Sequence, residues 1–229
     1  MRRFHGTTQR WHGLLVLVFV FGLSGCGNGN KTQLRAMNGT PEESQIDVSL
    51  DSQTLASGVA YGTDSDYGSV SSGSRHLQIY PAGVATAYID KTITLDSGGK
   101  YTVVSANVLS SGTALLLSDE ETKPSSATAE LRIVNASPSL GTVDVYIVSP
   151  GTDLSTVSPT ISGFAFEAVS TYRSLTAKTA YEIYFTAANE KTAEIDSGPV
   201  TYSGGEARTM IALDGAAGGY TLATLSDLD

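Results

Sequence analysis

A single cysteine, a single tryptophan and three histidines in 229 residues leave little material for metal or nucleophile chemistry. Cys26 has no partner, so an intramolecular disulfide is impossible. Beyond residue 25 the only histidine is His76, so neither a zinc site of histidine and cysteine ligands nor a cysteine-histidine pair can be assembled. No Gly-x-Ser-x-Gly word surrounds a serine, which removes the commonest hydrolase elbow. Basic residues are scarce as well, 14 against 23 acidic, for a net charge of −9. A chain of this sign repels phosphate backbones, so nucleic acid is excluded as a partner. After residue 23 there is no long apolar run, and no window carries a sustained helical face.

What is present begins with the leader. Arg2, Arg3 and Arg10 precede an apolar run from Leu14 to Phe21, and no acidic residue occurs before Cys26. The run is about ten residues long, whereas a membrane-spanning helix needs roughly 20. Charged, apolar and small zones in that order are those of a secretory signal peptide over residues 1–25. Its end, Leu23-Ser24-Gly25-Cys26, resembles the lipobox of bacterial lipoproteins. That resemblance implies diacylglyceryl transfer to the Cys26 thiol and cleavage before it. Two or more acyl chains, at about 0.8 kcal/mol per buried methylene, make such an anchor stable. Gly27, rather than Asp, follows the cysteine, and by analogy with enteric bacteria this points to the outer membrane. Three of the 14 basic residues leave with the leader, so the exported part carries 11 against 23 acidic ones. Its attachment is therefore expected through lipid and not through a basic patch.

The exported part is organised by an internal repeat. Leu34-Arg35-Ala36-Met37-Asn38-Gly39-Thr40-Pro41 resembles Leu131-Arg132-Ile133-Val134-Asn135-Ala136-Ser137-Pro138, and Ile46-Asp47-Val48 matches Val143-Asp144-Val145 at the same offset. Later words follow in the same order: Gly58-Val59-Ala60-Tyr61 with Gly163-Phe164-Ala165-Phe166, Ile79-Tyr80 with Ile183-Tyr184, and Ser97-Gly98-Gly99 with Ser203-Gly204-Gly205. The copies close on Leu117-Ser118-Asp119 and Leu225-Ser226-Asp227. This divides the chain into a tether over 26–31, a first domain over 32–119, a linker over 120–128 and a second domain over 129–229. A tether that short reaches about 10–15 Å. It is expected to hold the first domain near the membrane and to leave the second better placed to meet a partner.

Within each copy the apolar period is two. Ile46, Val48 and Leu50 alternate with polar residues, as do Leu77 and Ile79, Val143, Val145 and Ile147, and Tyr181, Ile183 and Phe185. Alternation of this kind marks half-buried strands, separated here by Gly, Ser, Pro and Asp. About seven short strands per hundred residues predict an all-β chain of two tandem immunoglobulin-like β-sandwich domains, with a small barrel as the competing closure.

The repeated words carry a second resemblance. A strand, then Asn, a small residue, Ser or Thr, and Pro, then an apolar-Asp-apolar strand, is similar to the domain of unknown function 4397. Lys100-Tyr101-Thr102-Val103-Val104 after a glycine turn resembles the later part of that domain. The resemblance covers residues 32–229 as two copies, weaker at Met37-Asn38-Gly39, and implies architecture without an activity.

Candidate sites are few. Asn38 and Asn135, with Pro41 and Pro138, are residues that turns require. Asp47 and Asp144 either accept backbone amides or bind a cation, and the first reading is favoured. Asp64 and Asp66 fall short of the six to eight oxygens that calcium takes, so no metal or other cofactor is expected. His76 sits on an alternating strand. Tyr80, Tyr146 and Tyr184 occupy the polar phase of their strands. Exposed, they suit contact with sugar or protein; otherwise they cover a sheet face or a domain interface. The sequence thus reads as a non-enzymatic, lipid-anchored envelope protein that acts as a structural or protein-binding module. A carbohydrate-binding or adhesion lipoprotein using those tyrosines is the alternative, and a hydrolase with a carboxylate pair ranks third. Its partners are the membrane, through Cys26, and an unknown envelope protein or polysaccharide.

Overall fold

The computed structural model describes Met1, residues 31–119 and residues 122–228. The leader, the Leu23-Ser24-Gly25-Cys26 word and the tether as far as Asn30 lie outside the described residues. The first repeat forms β1 (Thr32–Asn38), β2 (Gln45–Leu50), β3 (Gln53–Ala60), β4 (Gly68–Val70), β5 (Gly73–Pro81), β6 (Ile89–Leu95), β7 (Lys100–Ala106) and β8 (Thr113–Ser118). The second forms β9 (Thr128–Asn135), β10 (Val143–Val148), β11 (Ile161–Phe164), β12 (Arg173–Thr176), β13 (Ala180–Ala187), β14 (Ala193–Thr201), β15 (Ala207–Asp214) and β16 (Tyr220–Ser226). They assemble into four four-stranded sheets, ordered β4-β1-β7-β8 and β3-β2-β5-β6, then β12-β9-β15-β16 and β11-β10-β13-β14. Each repeat is a two-sheet β-sandwich and not a closed barrel.

The alternating words fall where they were expected. Ile46, Val48, Leu50, Leu77 and Ile79 meet Leu34, Ala36, Tyr101 and Val103 inside the first sandwich. Val143, Val145, Ile183 and Phe185 meet Leu131, Ile133 and Met210 inside the second. The words that do not alternate have a different explanation. Met37, Val104, Ala106 and Leu117 from the first repeat and Val134, Ala136, Ile211, Leu213, Ala223 and Leu225 from the second form a third apolar cluster. The sheet containing β1 and β7 is therefore covered on both faces, as is the sheet containing β9 and β15. The molecule is a stack of four sheets with three cores. All seven residues of β7 are buried. The β1–β7 and β9–β15 ladders are parallel, the arrangement that favours continuous apolar strands buried on both sides.

Strand register corrects two of the repeat correspondences. Val48 faces Ile79, whereas Val145 faces Phe185, so Ile79-Tyr80 corresponds to Phe185-Thr186 and not to Ile183-Tyr184. Likewise Gln33 faces Lys100 and Glu130 faces Ala207, so Ser97 corresponds to Gly204 and not to Ser203. Gly204 differs from Ser97 for a steric reason. The chain between the sandwiches runs so close above it that a Cβ there would lie 1.9 Å from the Ser126 carbonyl oxygen.

Polar groups lock the middle core. Arg35 donates from Nη2 to Asp227 Oδ1 at 2.7 Å and from Nη1 to the Ser226 carbonyl at 2.6 Å. Arg132 donates from Nη2 to Asp119 Oδ1 at 2.5 Å and from Nη1 to the Ser118 carbonyl at 2.6 Å. The closing word of each repeat thus holds the opening word of the other. Both arginines and both aspartates are almost wholly buried.

Three expectations follow. Arg132→Ala should cost about 3–5 kcal/mol, because it strands Asp119 in the interior. With the middle core intact, urea unfolding of the full chain should be a single transition reported identically by tyrosine fluorescence and far-UV circular dichroism; two separated transitions would show that the sandwiches are not coupled. Gly204→Ala should cost about 1–3 kcal/mol in the same measurement, whereas Ser97→Ala should be close to neutral.

Candidate functional site at the seam between the sandwiches

The residues singled out in the sequence divide into those that the fold consumes and those left over. Asn38 donates from Nδ2 to the Glu43 and Val59 carbonyls at 2.9 and 3.2 Å, and its Oδ1 accepts from the Thr40 amide at 3.1 Å. Asn135 does the same with the Gly141 and Phe164 carbonyls and the Ser137 amide. Asp47 accepts the Gly58 and Gly83 amides at 2.8 and 3.1 Å, and Asp144 accepts those of Gly163 and Asn189 at 2.8 and 2.9 Å. All four donors have positive φ, so each carboxylate fastens two left-handed turns. These residues hold turns and strands in place.

His76 places Nε2 2.6 Å from Asp90 Oδ1 on the exposed face of β5 and β6, and that hydrogen bond, with one from Gln78, holds the Asp90 carboxyl below its ordinary value. This histidine is thus a surface partner of Asp90. Asp64 accepts from Arg35 Nη1 at 2.7 Å and supports the crossed network.

The three tyrosines do not form one face. Tyr80 lies opposite Asp47 on the outer sheet of the first sandwich, half-buried. Tyr146 and Tyr184 are cross-strand neighbours on the outer sheet of the second. Tyr146 follows the covered alternative: it is 1% exposed. Lys191 lies over its ring at 4.9 Å and donates to its hydroxyl at 2.8 Å, with a further bond to the Val157 carbonyl that fixes the lid. Tyr184 stays half-exposed; its hydrogen bond to Glu182, then burial and Asp196, push its phenol up to about 12.

Tyr67 and Tyr172 were not picked out by strand phase, because both lie in loops. Each belongs to the crossed network. Tyr67 donates to Asp119 Oδ2 and Tyr172 to Asp227 Oδ2, both at 2.8 Å, while Arg35 and Arg132 stack on their rings at 4.4 and 4.7 Å. Thr102 and Thr209 complete each half by accepting from the arginine Nε and donating to the same carboxylates. Burial pushes the Tyr67 phenol well above its ordinary value, reinforced by Asp119. Burial also raises the Asp227 carboxyl, against hydrogen bonds from Thr209 and Tyr172 and the charge of Arg132.

Along this seam runs a groove of ≈ 580 Å³, between the loop carrying Asp64 to Tyr67 and the open edge of β16. Gln33, Arg35, Asp66, Tyr67, Arg208 and Thr224 reach it, and among the described residues none of its lining is aliphatic except along polar side-chain stems. Arg208 and Ser226 also line an adjoining hollow of ≈ 430 Å³ that extends to Lys123 and Glu206. Arg208 pairs with Glu206 at 3.3 Å. The Asp66 carboxylate is exposed and has no partner among the described residues. This groove is the feature that sequence reasoning missed.

The family model for the domain of unknown function 4397 (DUF4397) matches residues 32–146, half of the chain. The chain belongs to the DUF4397 family. The match is a single one, running through the first sandwich and on into β10, where two were expected. No curated protein matches the chain. Among solved structures, a family 26 carbohydrate-binding module from Eubacterium rectale, in complex with maltoheptaose, is 12% identical over 87% of this chain and 98% of its own, with a TM-score of 0.28. A streptococcal virulence factor whose structure describes alpha-glucan binding is 9% identical over 79% and 92%, with a TM-score of 0.27. Scores this low carry no argument about site or ligand.

The tyrosines set the alkaline limit of this DUF4397 protein. Burial, then Asp214, push Tyr61 up to about 12, and burial does the same for Tyr202. Their unfolded value is about 10. Between those values the unfolded chain loses protons first, so stability is complete below pH 10 and falls as pH rises toward 12. Urea midpoints at pH 9, 10 and 11 should decline progressively, and Tyr61→Phe should flatten the decline.

Proposed function

We propose that this DUF4397 protein is a lipid-anchored cell-envelope protein whose exported part is a non-enzymatic structural or protein-binding module. The observation that carries the reading is the order basic, apolar, Leu23-Ser24-Gly25-Cys26, with a packed strand opening at Thr32 only six residues after the cysteine. The chemistry of the exported part supports a non-catalytic role. His76 is engaged by Asp90 on an open surface, and Asp119 and Asp227 are committed to arginines in the interior.

Attachment at that point has a geometric consequence. Thr32 belongs to an inner sheet, and Gln33 lines the groove between the sandwiches. A lipid on Cys26 would hold the seam near the bilayer, not the tip of one domain, and both sandwiches would share that position. The outer membrane is the proposed location, on the strength of Gly27. A second reading, carbohydrate binding, is favoured by the polar groove and not by Tyr80, Tyr146 and Tyr184 as a set.

Cys26→Ala should abolish palmitate labelling of the protein in cells and move it from the membrane pellet to the soluble fraction after a high-salt wash. Retention of the variant in the washed pellet would sink the anchor.

A further inference from the structure

The internal repeat supplies a control that most folds lack. A residue that the architecture demands should stand in both copies, and one that it does not demand is free to differ. Arg35 and Arg132, Thr102 and Thr209, Tyr67 and Tyr172, and Asp119 and Asp227 recur with the same bonds. Ser65 and Ser170 recur too, each accepting from a backbone amide in the facing strand, Ala36 or Ile133. Those pairs fix the correspondence of the two loops. Asp64 then stands where the second repeat has Val169, and Asp66 where it has Thr171. Strand register makes Leu116 the counterpart of Thr224 in the first repeat, and Tyr101 the counterpart of Arg208. The polar residues added at one side of the seam have apolar, aromatic or uncharged counterparts at the other. Val169 is left 41% exposed at its position, so the fold tolerates an apolar residue there.

We propose that the groove between the Asp64–Tyr67 loop and the β16 edge is a binding site for a neutral saccharide chain. This rests on reading the exported part as a binding module and names the ligand class of that site. Its volume is that of a small-ligand cleft. The absence of aliphatic side chains in its lining argues against an apolar ligand or a peptide that anchors by side-chain burial. The charges compensate one another: Arg35 is matched by Asp64 and Asp227, and Arg208 by Glu206. An anionic ligand would meet the free Asp66 carboxylate and the strongly acidic chain around it. What remains is a set of planar groups that hydrogen-bond without demanding net charge. The Asp66 carboxylate accepts, the Arg208 guanidinium donates, the Gln33 amide does both, and Thr224 adds a hydroxyl. Adjacent sugar hydroxyls present paired donors and acceptors of that kind. The adjoining hollow beyond Arg208 lengthens the path and favours a chain over a single ring.

The test uses the full mature protein in detergent micelles, titrated calorimetrically with malto-, cello-, laminari- and chitohexaose and with hexagalacturonate as the acidic control. At least one neutral hexasaccharide should bind, and Asp66→Ala and Arg208→Ala should each weaken it about tenfold. Thr171→Ala, at the counterpart position, should leave binding unchanged, and all three variants should keep the parent melting temperature. The proposal is overturned by silence across the four neutral hexasaccharides, by preferential binding of the acidic one, or by affinity that neither groove variant alters. None of those results bears on membrane attachment, which Cys26→Ala tests separately.

Discussion

Two buried guanidinium–carboxylate bonds, crossed between the repeats, are what the remaining architecture is arranged around. Arg35 reaches Asp227 and Arg132 reaches Asp119, each at the centre of a wall of threonine and tyrosine hydroxyls. Buried pairs of this kind often contribute little net stability, because desolvation offsets the attraction. Their effect is on choice. An apolar interface made of Met37, Val104, Ile211 and Leu225 could slide by a residue at small cost; an arginine without its carboxylate could not be buried at all. The crossed pairs therefore fix the register of two inner sheets against each other. Every outer feature, including the groove, inherits its geometry from that register.

This exchange also marks the limit of what could be read from the chain. Leu-Arg at the head of each copy and Leu-Ser-Asp at its foot are plain as repeats. Nothing in either word says that the foot of one copy binds the head of the other. Alternation gave the outer strands where one face is wetter than the other, as in Ile46-Asp47-Val48 and Leu77-Gln78-Ile79. It failed on Val103-Val104 and Ile133-Val134 because both faces are dry there, and that failure was the available sign of a middle core. The same core accounts for the weaker opening of the first copy. A Cβ at Gly39 would press on the Ser105 carbonyl oxygen at 2.5 Å and on Leu213 of the other repeat at 3.0 Å, whereas Ala136 fits its own place. Composition gave no sign that the chain at Ser126 passes so tightly over Gly204.

The residues of the proposed site were missed for a related reason. Polar phase along a strand identifies a side chain that leaves the core; it does not say what then covers it. Tyr146 leaves the core and is covered by Lys191, 45 residues away in sequence. Asp66, Arg208 and Thr224 come from a loop, an inner strand and an edge strand, and only the crossed register brings them to one groove. One signal in the sequence could have found them. Aligning the copies and keeping the positions where charge or polarity changes retains Asp64, Asp66, Arg208 and Thr224 among others such as Lys100, whose counterpart is Ala207, provided that the strand register is right. The two-residue error at Ile79-Tyr80 shows how easily that condition fails when word similarity stands in for pairing.

A stacked, doubly cored seam also changes what a tether does. Two sandwiches on a flexible linker would let one sit at a surface and the other search the space above it. Here the linker spans sheets that are already packed, and Lys100 of the first repeat donates to the Asp227 carbonyl of the second at 2.9 Å. Relative motion would have to open the middle core and expose both ion pairs, which is a global event and not a hinge. A chain fastened ahead of Thr32 is thus fastened to the whole body. Gln33 is the second residue of β1, so the groove lies within a few residues of the proposed point of attachment. An anchor of the kind proposed, at the rim of the proposed groove, would restrict its ligands to those lying along the same surface.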